Sequence, residues 1–389
     1  MAQVAARCAI SFLQNARYWA EEYHVDGLRL DAAHAIVDDS PTHILAEVAN
    51  TLRSLERARL LIAEDERNER QLVLPPEHGG FGLDAVWADD FHHQVRRLTA
   101  HDDEGYFASF SGTISDLVET LRKGWFYEGQ WCSAISGRRG TPAADLPPRS
   151  FVHCIQNHDQ VGNRAMGDRL NHTISAAAFR AASTLLLLSP YTPLIWMGQE
   201  WAASTPFQYF TDHPAELGHA ITEGRRNEFR HFSAFTEPAL RERIPDPQDE
   251  ATFLRSRLRW DETSLALHRG TLALYRALLR LRRTTRCLRC GRRDRFDVTV
   301  IDDGALAIRR WDDDEAFLII VAFAEGRDVD LSAPAVARRF ATDASEWSLV
   351  LSTEHEDFGG AGAHADDRRH RLRGPGGFVF HTRLQPLSV

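Results

Sequence analysis

Hydrophobic positions in the first half of the chain fall into short runs that each end in polar residues: VDGLRLD (25–31), RLLIAED (59–65), LDAVWADD (83–90), FVHCIQNHD (151–159) and TPLIWMGQE (192–200). Helix-compatible sequence follows each run, and this alternation predicts parallel strands in an α/β sheet or barrel. Carboxylates, histidines and amides crowd the C-terminal end of all five runs, the edge where such sheets and barrels carry active sites. The N-terminal MAQVAARCAISFLQNARYWAEEY reads as an amphipathic helix. Residues 101–150 exceed what one crossover helix needs and include GWFYEGQW (124–131), so they read as an inserted loop region over the active face. The Leu and Ala spacing of LALHRGTLALYRALLRLRRTTR (265–286) predicts a helix packed on one face. Beyond it, FDVTVIDDGALAIRRWDDDEAFLIIVAFAE alternates between Asp-rich turns, which predicts an all-β unit. The expected organisation is a partial (β/α)8 barrel over 1–285 and a small all-β sandwich domain over 286–389.

In a strand, side chains two apart share a face, so Arg29 and Asp31 point one way while Leu28 and Leu30 point the other. A guanidinium beside a carboxylate favours the ionised acid, and an ionised aspartate suits a nucleophile. The next strand sets Ile62 and Glu64 on one side and Leu61 and Ala63 on the other. If the two strands are neighbours, Glu64 and Asp31 share a face, and proximity of two negative charges favours a proton on the glutamate, the condition for a general acid. QNHDQ adds Asp159 at a third strand end, with Asn157 and His158 beside it. Strict alternation would turn His158 away from Asp159, so both serve one site only if the strand has broken there. Each acid also fits a structural role alone: an ion pair for Asp31, a helix-start cluster for Glu64 with Asp65, an N-cap for Asp159. Their recurrence at successive strand ends points to one site.

With 389 residues and 43% hydrophobic content, the chain can bury a large core and carry a second, smaller domain. A formal net charge of -9 argues against nucleic acid or an anionic membrane surface as partner, because acidic surfaces repel phosphate. No apolar run approaches the roughly 18 residues of a membrane span. Five scattered cysteines make no disulfide framework, and a cytoplasmic setting is expected. Cys287-Leu-Arg-Cys290 stands without a second pair and reads as a chance spacing; adjacent His92 and His93 lack a third ligand, so no metal site is expected.

The constellation resembles the alpha-amylase-type glycoside hydrolases, glycoside hydrolase family 13: DGLRLDAAH resembles its second sequence region, LLIAEDERNE its third and QNHDQ its fourth. Within that family, DGLRLDAAHAI, WADDFHHQV, IQNHDQVGNRAMGDRL and PLIWMGQEW resemble the branch acting on maltooligosyltrehalose. The resemblance implies Asp31 as nucleophile, Glu64 as proton donor and Asp159 as transition-state stabiliser in retaining chemistry, with no metal or organic cofactor. It also implies a substrate cleft containing Arg29, His34, Asp89, Asp90, Phe91, His92, His93, His158, and Gln160 to Asn163. Flat faces for sugar rings are sought among Trp87, Trp125, Phe126, Tyr127 and Trp131. Alternatives are a related branching enzyme or amylase acting on plain α-glucan, and a non-catalytic remnant. The remnant reading arises because the resemblance starts at the helix before the family's fourth barrel strand, leaving about five of eight strands; a truncated or mis-called start is the expected reason.

Overall fold

The computed structural model describes residues 2–325, 328–330, 347–362, 365–366 and 371–384. Five strands, β1 (Gly27–Leu30), β2 (Leu60–Ala63), β3 (Ala85–Trp87), β6 (Phe151–His153) and β7 (Thr192–Pro193), form one parallel sheet in that order, while β4 (Gln130–Cys132) and β5 (Gly137–Arg139) make a separate hairpin. All five sequence runs supply these strands. Gly27 opposite Leu60 and Leu30 opposite Ala63 set the β1–β2 register, and this brings Asp31 and Glu64 just past two adjacent strand ends.

Helices cover the sheet because their apolar residues recur every three to four positions. In α2 (Ile44–Arg53), Leu45, Val48, Ala49 and Leu52 are buried with Leu61 and Ala63 of β2. The long α1 (Ala2–Glu21) lies against α2 and contributes Ala16 and Ala20 to the same core. Between β3 and β6 run α3 (Asp90–Ala100) and α4 (Ile114–Lys123). The span 101–150 is therefore not a loop insertion alone: α4 buries Ile114, Leu117, Val118 and Leu121, an apolar stripe of helical spacing. The rest of that span carries the β4–β5 hairpin and the turn Pro148–Ser150 that leads into β6.

Beyond the helix Ala266–Thr284 follows a five-stranded antiparallel sheet ordered Ser348–Ser352, Gly376–Arg383, β10 (Glu315–Ala322), β9 (Ala305–Trp311) and β8 (Phe296–Asp302). Strict alternation divides β10 between two cores. Phe317, Ile319 and Val321 join the core beneath the parallel sheet, while Leu318, Ile320 and Ala322 pack with Phe378, Phe380 and Leu372, the last from a three-stranded sheet. Among the described residues, β1 and β7 each lack an outer neighbour in the parallel sheet. Ile10, Phe12, Tyr18 and Trp19 of α1, with Tyr23 and Leu60, are exposed on the β1 side. No helix among the described residues is long and apolar enough to cross a membrane.

Candidate active site

The site grows from what the backbone does after each parallel strand. β1 ends at Leu30, and Ala32 then adopts a left-handed conformation (φ 44°) that turns the chain across the sheet edge. That turn is fastened to the next strand end: the Ala32 N–H donates to Glu64 Oε2 (2.5 Å) and the Ala33 N–H to the Glu64 carbonyl (2.9 Å). Glu64 is thus held by the segment that carries Asp31. Strand β6 ends at His153, and the Asn157 side chain caps the short helix α5 (His158–Gly162) by accepting from the Gln160 N–H (2.7 Å). The strand has broken well before residue 158, which lets His158 Nε2 stand 3.1 Å from Asp159 Oδ2.

One guanidinium gathers the acids. Arg29 Nη1 donates to Asp31 Oδ1 (2.5 Å), and its Nη2 lies 3.6 Å from Glu64 Oε2 and 3.8 Å from Asp159 Oδ2. The Arg29 plane is itself placed over the Trp87 ring, 4.2 Å from its centroid. Asp31 is the most accessible, its side chain 77% exposed, whereas Glu64 is 22% exposed. All three acids line one cleft of about 580 Å³ with His34, Trp87, Asp89, His93, Gln160 and Asn163. Gln160 Oε1 accepts from the Tyr106 hydroxyl (3.0 Å), and Asn163 Oδ1 accepts from Arg225 (3.0 Å), so both amides are oriented.

The segment WADDFHH divides. Asp89 and His93, four apart across the start of α3, face the cleft; Asp90, Phe91 and His92 do not, and this corrects their expected place in it. The reason is helical rotation: residues i and i+4 share a face while those between turn away. Asp90 is fully buried, accepting from Asn68 Nδ2 (2.7 Å) and the Phe126 and Tyr127 N–H groups (2.8 and 3.0 Å), and is paired with Arg139 at 2.8 Å. Phe91 is buried and stacks on His153. His92 is buried, which drives its imidazole well below the usual range and keeps it neutral. Of the candidate aromatic faces only Trp87 lines the cleft; Trp125 is fully buried and Tyr127 nearly so, while Trp131 is exposed. The sequence reading missed Arg139 and Tyr106, both cleft-lining, and placed Asn157 beside Asp159 without giving it a role. Asn157 could have been found in QNHDQ as an N-cap; nothing near Arg139 or Tyr106 marks them in sequence.

Asp89 carries the clearest electrostatic signature. Burial first, then the charges of Glu64, Asp90 and Asp159, push its carboxyl up to about 7 against the opposing Arg139. Its unfolded value is about 3.9. Between these limits the folded chain holds a proton that the unfolded chain does not, so this contribution to stability is present below about pH 4 and is lost as pH rises through 7. Asp89→Asn should therefore gain on the parent as pH rises from 4.5 to 8, by on the order of 3 kcal/mol in urea unfolding. An offset identical at both pH values would contradict this account of Asp89.

No protein-family model matches the chain. It is 48% identical over 295 residues to the malto-oligosyltrehalose trehalohydrolase of Deinococcus radiodurans, covering 75% of this chain and 47% of that one. The same-named enzyme of Rhizobium sp. is 40% identical over 339 residues, 85% of this chain and 55% of that one. Among solved structures, a Salmonella typhimurium protein named provisionally as an alpha amylase superposes with a TM-score of 0.80 at 30% identity, over 96% of this chain and 59% of its own. The chain spans about half the length of the curated relatives it matches. Over that half, the chain is similar in sequence to the malto-oligosyltrehalose trehalohydrolases, and its parallel sheet followed by an antiparallel β unit shares the fold of the alpha-amylase-type structure it superposes on.

Proposed function

We propose that this cleft cleaves the α-1,4-glucosidic bond next to the trehalose end of maltooligosyltrehalose, releasing trehalose and a shortened maltooligosaccharide with retention of configuration. The observation that carries the reading is the single Arg29 guanidinium within 2.5 to 3.8 Å of three carboxylates on one cleft wall. Asp31, exposed and charge-paired, attacks the anomeric carbon. Glu64 gives its proton to the departing glycosidic oxygen, and a glucosyl ester on Asp31 results. Glu64, now a carboxylate, takes a proton from water, which attacks the same carbon and frees Asp31. Asp159, steadied by His158, offsets the positive charge that develops on the sugar in both steps. His34, Asp89, His93, Gln160 and Asn163 hold sugar hydroxyls around the reacting ring. His93, whose Nδ1 lies 2.5 Å from the Asp89 carbonyl, is pushed down to about 4 by burial and acts as a neutral hydrogen-bonding group.

The boundaries 1–285 and 286–389 are kept as the working division between catalytic and β units. Five cysteines, each free, fit a reducing cytoplasm.

The test compares two substrates on the full chain. Trehalose appears from maltooligosyltrehalose, while maltoheptaose is cut far more slowly. Equal cutting of maltoheptaose with no trehalose formed would turn the assignment to an amylase or branching enzyme. Among the described residues the parallel sheet has two unpaired edges, and the alternative reading is a glucan-binding protein without turnover. It predicts no turnover of either sugar and no cooperative unfolding.

A further inference from the structure

Far from the cleft, three ligand atoms of different chemistry converge where the helix Arg286–Arg289 meets the β9–β10 turn. The thiol of Cys287, one carboxylate oxygen of Asp312 and one of Glu315 all lie within 4.8 Å of one another. Cys287 is fully buried and the two acids are half-buried. We propose that these three side chains bind a divalent transition-metal cation, zinc by ligand type, that clamps the helix to the antiparallel sheet.

Each acid is already held in a way that leaves an oxygen to spare. Asp312 Oδ1 accepts from the Asp314 and Glu315 N–H groups (2.9 and 3.0 Å), which rigidifies the turn; Glu315 Oε2 faces His381 Nε2 at 3.1 Å. That imidazole orients Glu315 as an outer partner. Among the described residues neither acid forms an ion pair with lysine or arginine, and Glu315 is paired with His381 alone. The Arg310 guanidinium weighs on the thiol in the favourable sense, yet it is committed to the carbonyls of Leu188, Ser189 and Cys290.

The distances suit zinc after a small closure. An ion at the centre of such a triangle sits within about 2.8 Å of all three atoms, against about 2.3 Å for zinc–sulfur and 2.0–2.2 Å for zinc–oxygen bonds. A thiolate beside carboxylates favours zinc over magnesium or calcium, which take oxygen ligands alone. A thiol that ligates the ion does so as thiolate, so capture of the ion releases a proton to solvent. The spacing Cys287-x-x-Cys290 is then incidental: Cys287 pairs with the turn, and Cys290 is not in the set.

Cobalt(II) is added to the full chain as a spectroscopic stand-in for zinc. One equivalent should bring up the thiolate-to-cobalt charge-transfer band. That band should vanish in Cys287→Ser and persist in Cys290→Ser. In Asp312→Asn and Glu315→Gln, substitutions at the turn and at the first residue of β10, affinity should fall roughly 10–100-fold. Zinc should raise the melting temperature of the parent and not of Glu315→Gln. Absence of the band in the parent, its survival in Cys287→Ser, or unchanged affinity in both acid variants would each overturn the site.

Discussion

Asp31→Asn should lower trehalose release from maltooligosyltrehalose by roughly 10⁴-fold or more while leaving the urea midpoint almost unchanged. Both halves follow from the geometry. The side chain is 77% exposed and its one strong partner, Arg29, retains Glu64 and Asp159 when Asp31 loses its charge, so stability should shift by no more than about 0.5 kcal/mol. An amide, by contrast, cannot attack the anomeric carbon. Glu64→Gln should be as damaging with the natural substrate, whose leaving oxygen needs a proton, but far less so in the first step with an α-glycosyl fluoride, whose leaving group does not. The ester on Asp31 should then accumulate, because the base for the second step is missing, and intact mass should rise by one glycosyl unit. Asp31→Asn should show no such rise. If it kept activity within tenfold of the parent, the nucleophile would lie elsewhere.

How far this placement could be read in advance depended on the local backbone. In β1 and β2 the two-residue period holds to the strand ends: Leu61 and Ala63 go to the core, Arg29 goes to the three acids, and Asp31 and Glu64 follow on the open side. Composition at strand ends was therefore enough to find the acids. It failed one strand later, because WADDFHH is helical from Asp90 on, and a polar cluster that looks uniform in sequence is sorted by a 3.6-residue period into cleft and interior. Long-range partners were illegible for a different reason. Arg139 meets Asp90, and Tyr106 meets Gln160, through a loop and hairpin whose positions depend on tertiary packing, not on a local pattern.

The same contrast bears on the electrostatics. Arg29 serves three acids at once, so no single carboxylate receives its full charge, and Asp89, with only Arg139 to oppose its acidic neighbours, is the group in the cleft that rises to about 7. A cleft that keeps one carboxyl protonated near neutrality has a hydrogen-bond donor available for a sugar oxygen without adding another cation. That donor is lost as pH rises through 7, which ties the stability effect of Asp89 and its proposed contact with sugar to one titration.

Asp90→Ala should be among the most destabilising single substitutions in the chain, costing about 3–5 kcal/mol. The carboxylate accepts from Asn68 and from two backbone N–H groups and neutralises Arg139, whose side chain is only 11% exposed. Truncation leaves a buried cation and three unpaired donors together, and it frees the Phe126–Tyr127 segment from the start of α3. Asp90→Asn should lose less, since its amide oxygen still accepts from part of the set, but it too should unfold at lower urea. Neither substitution should raise KM at a temperature where the fold persists, because Asp90 has no surface in the cleft. The opposite pattern, an unchanged urea midpoint with KM raised tenfold, would return Asp90 to the sugar contacts and remove it from the interior. The paired measurement on neighbouring residues, Asp89 titrating in the cleft and Asp90 fixed beneath it, therefore decides whether the helical register at the start of α3 is what divides binding from folding in this segment.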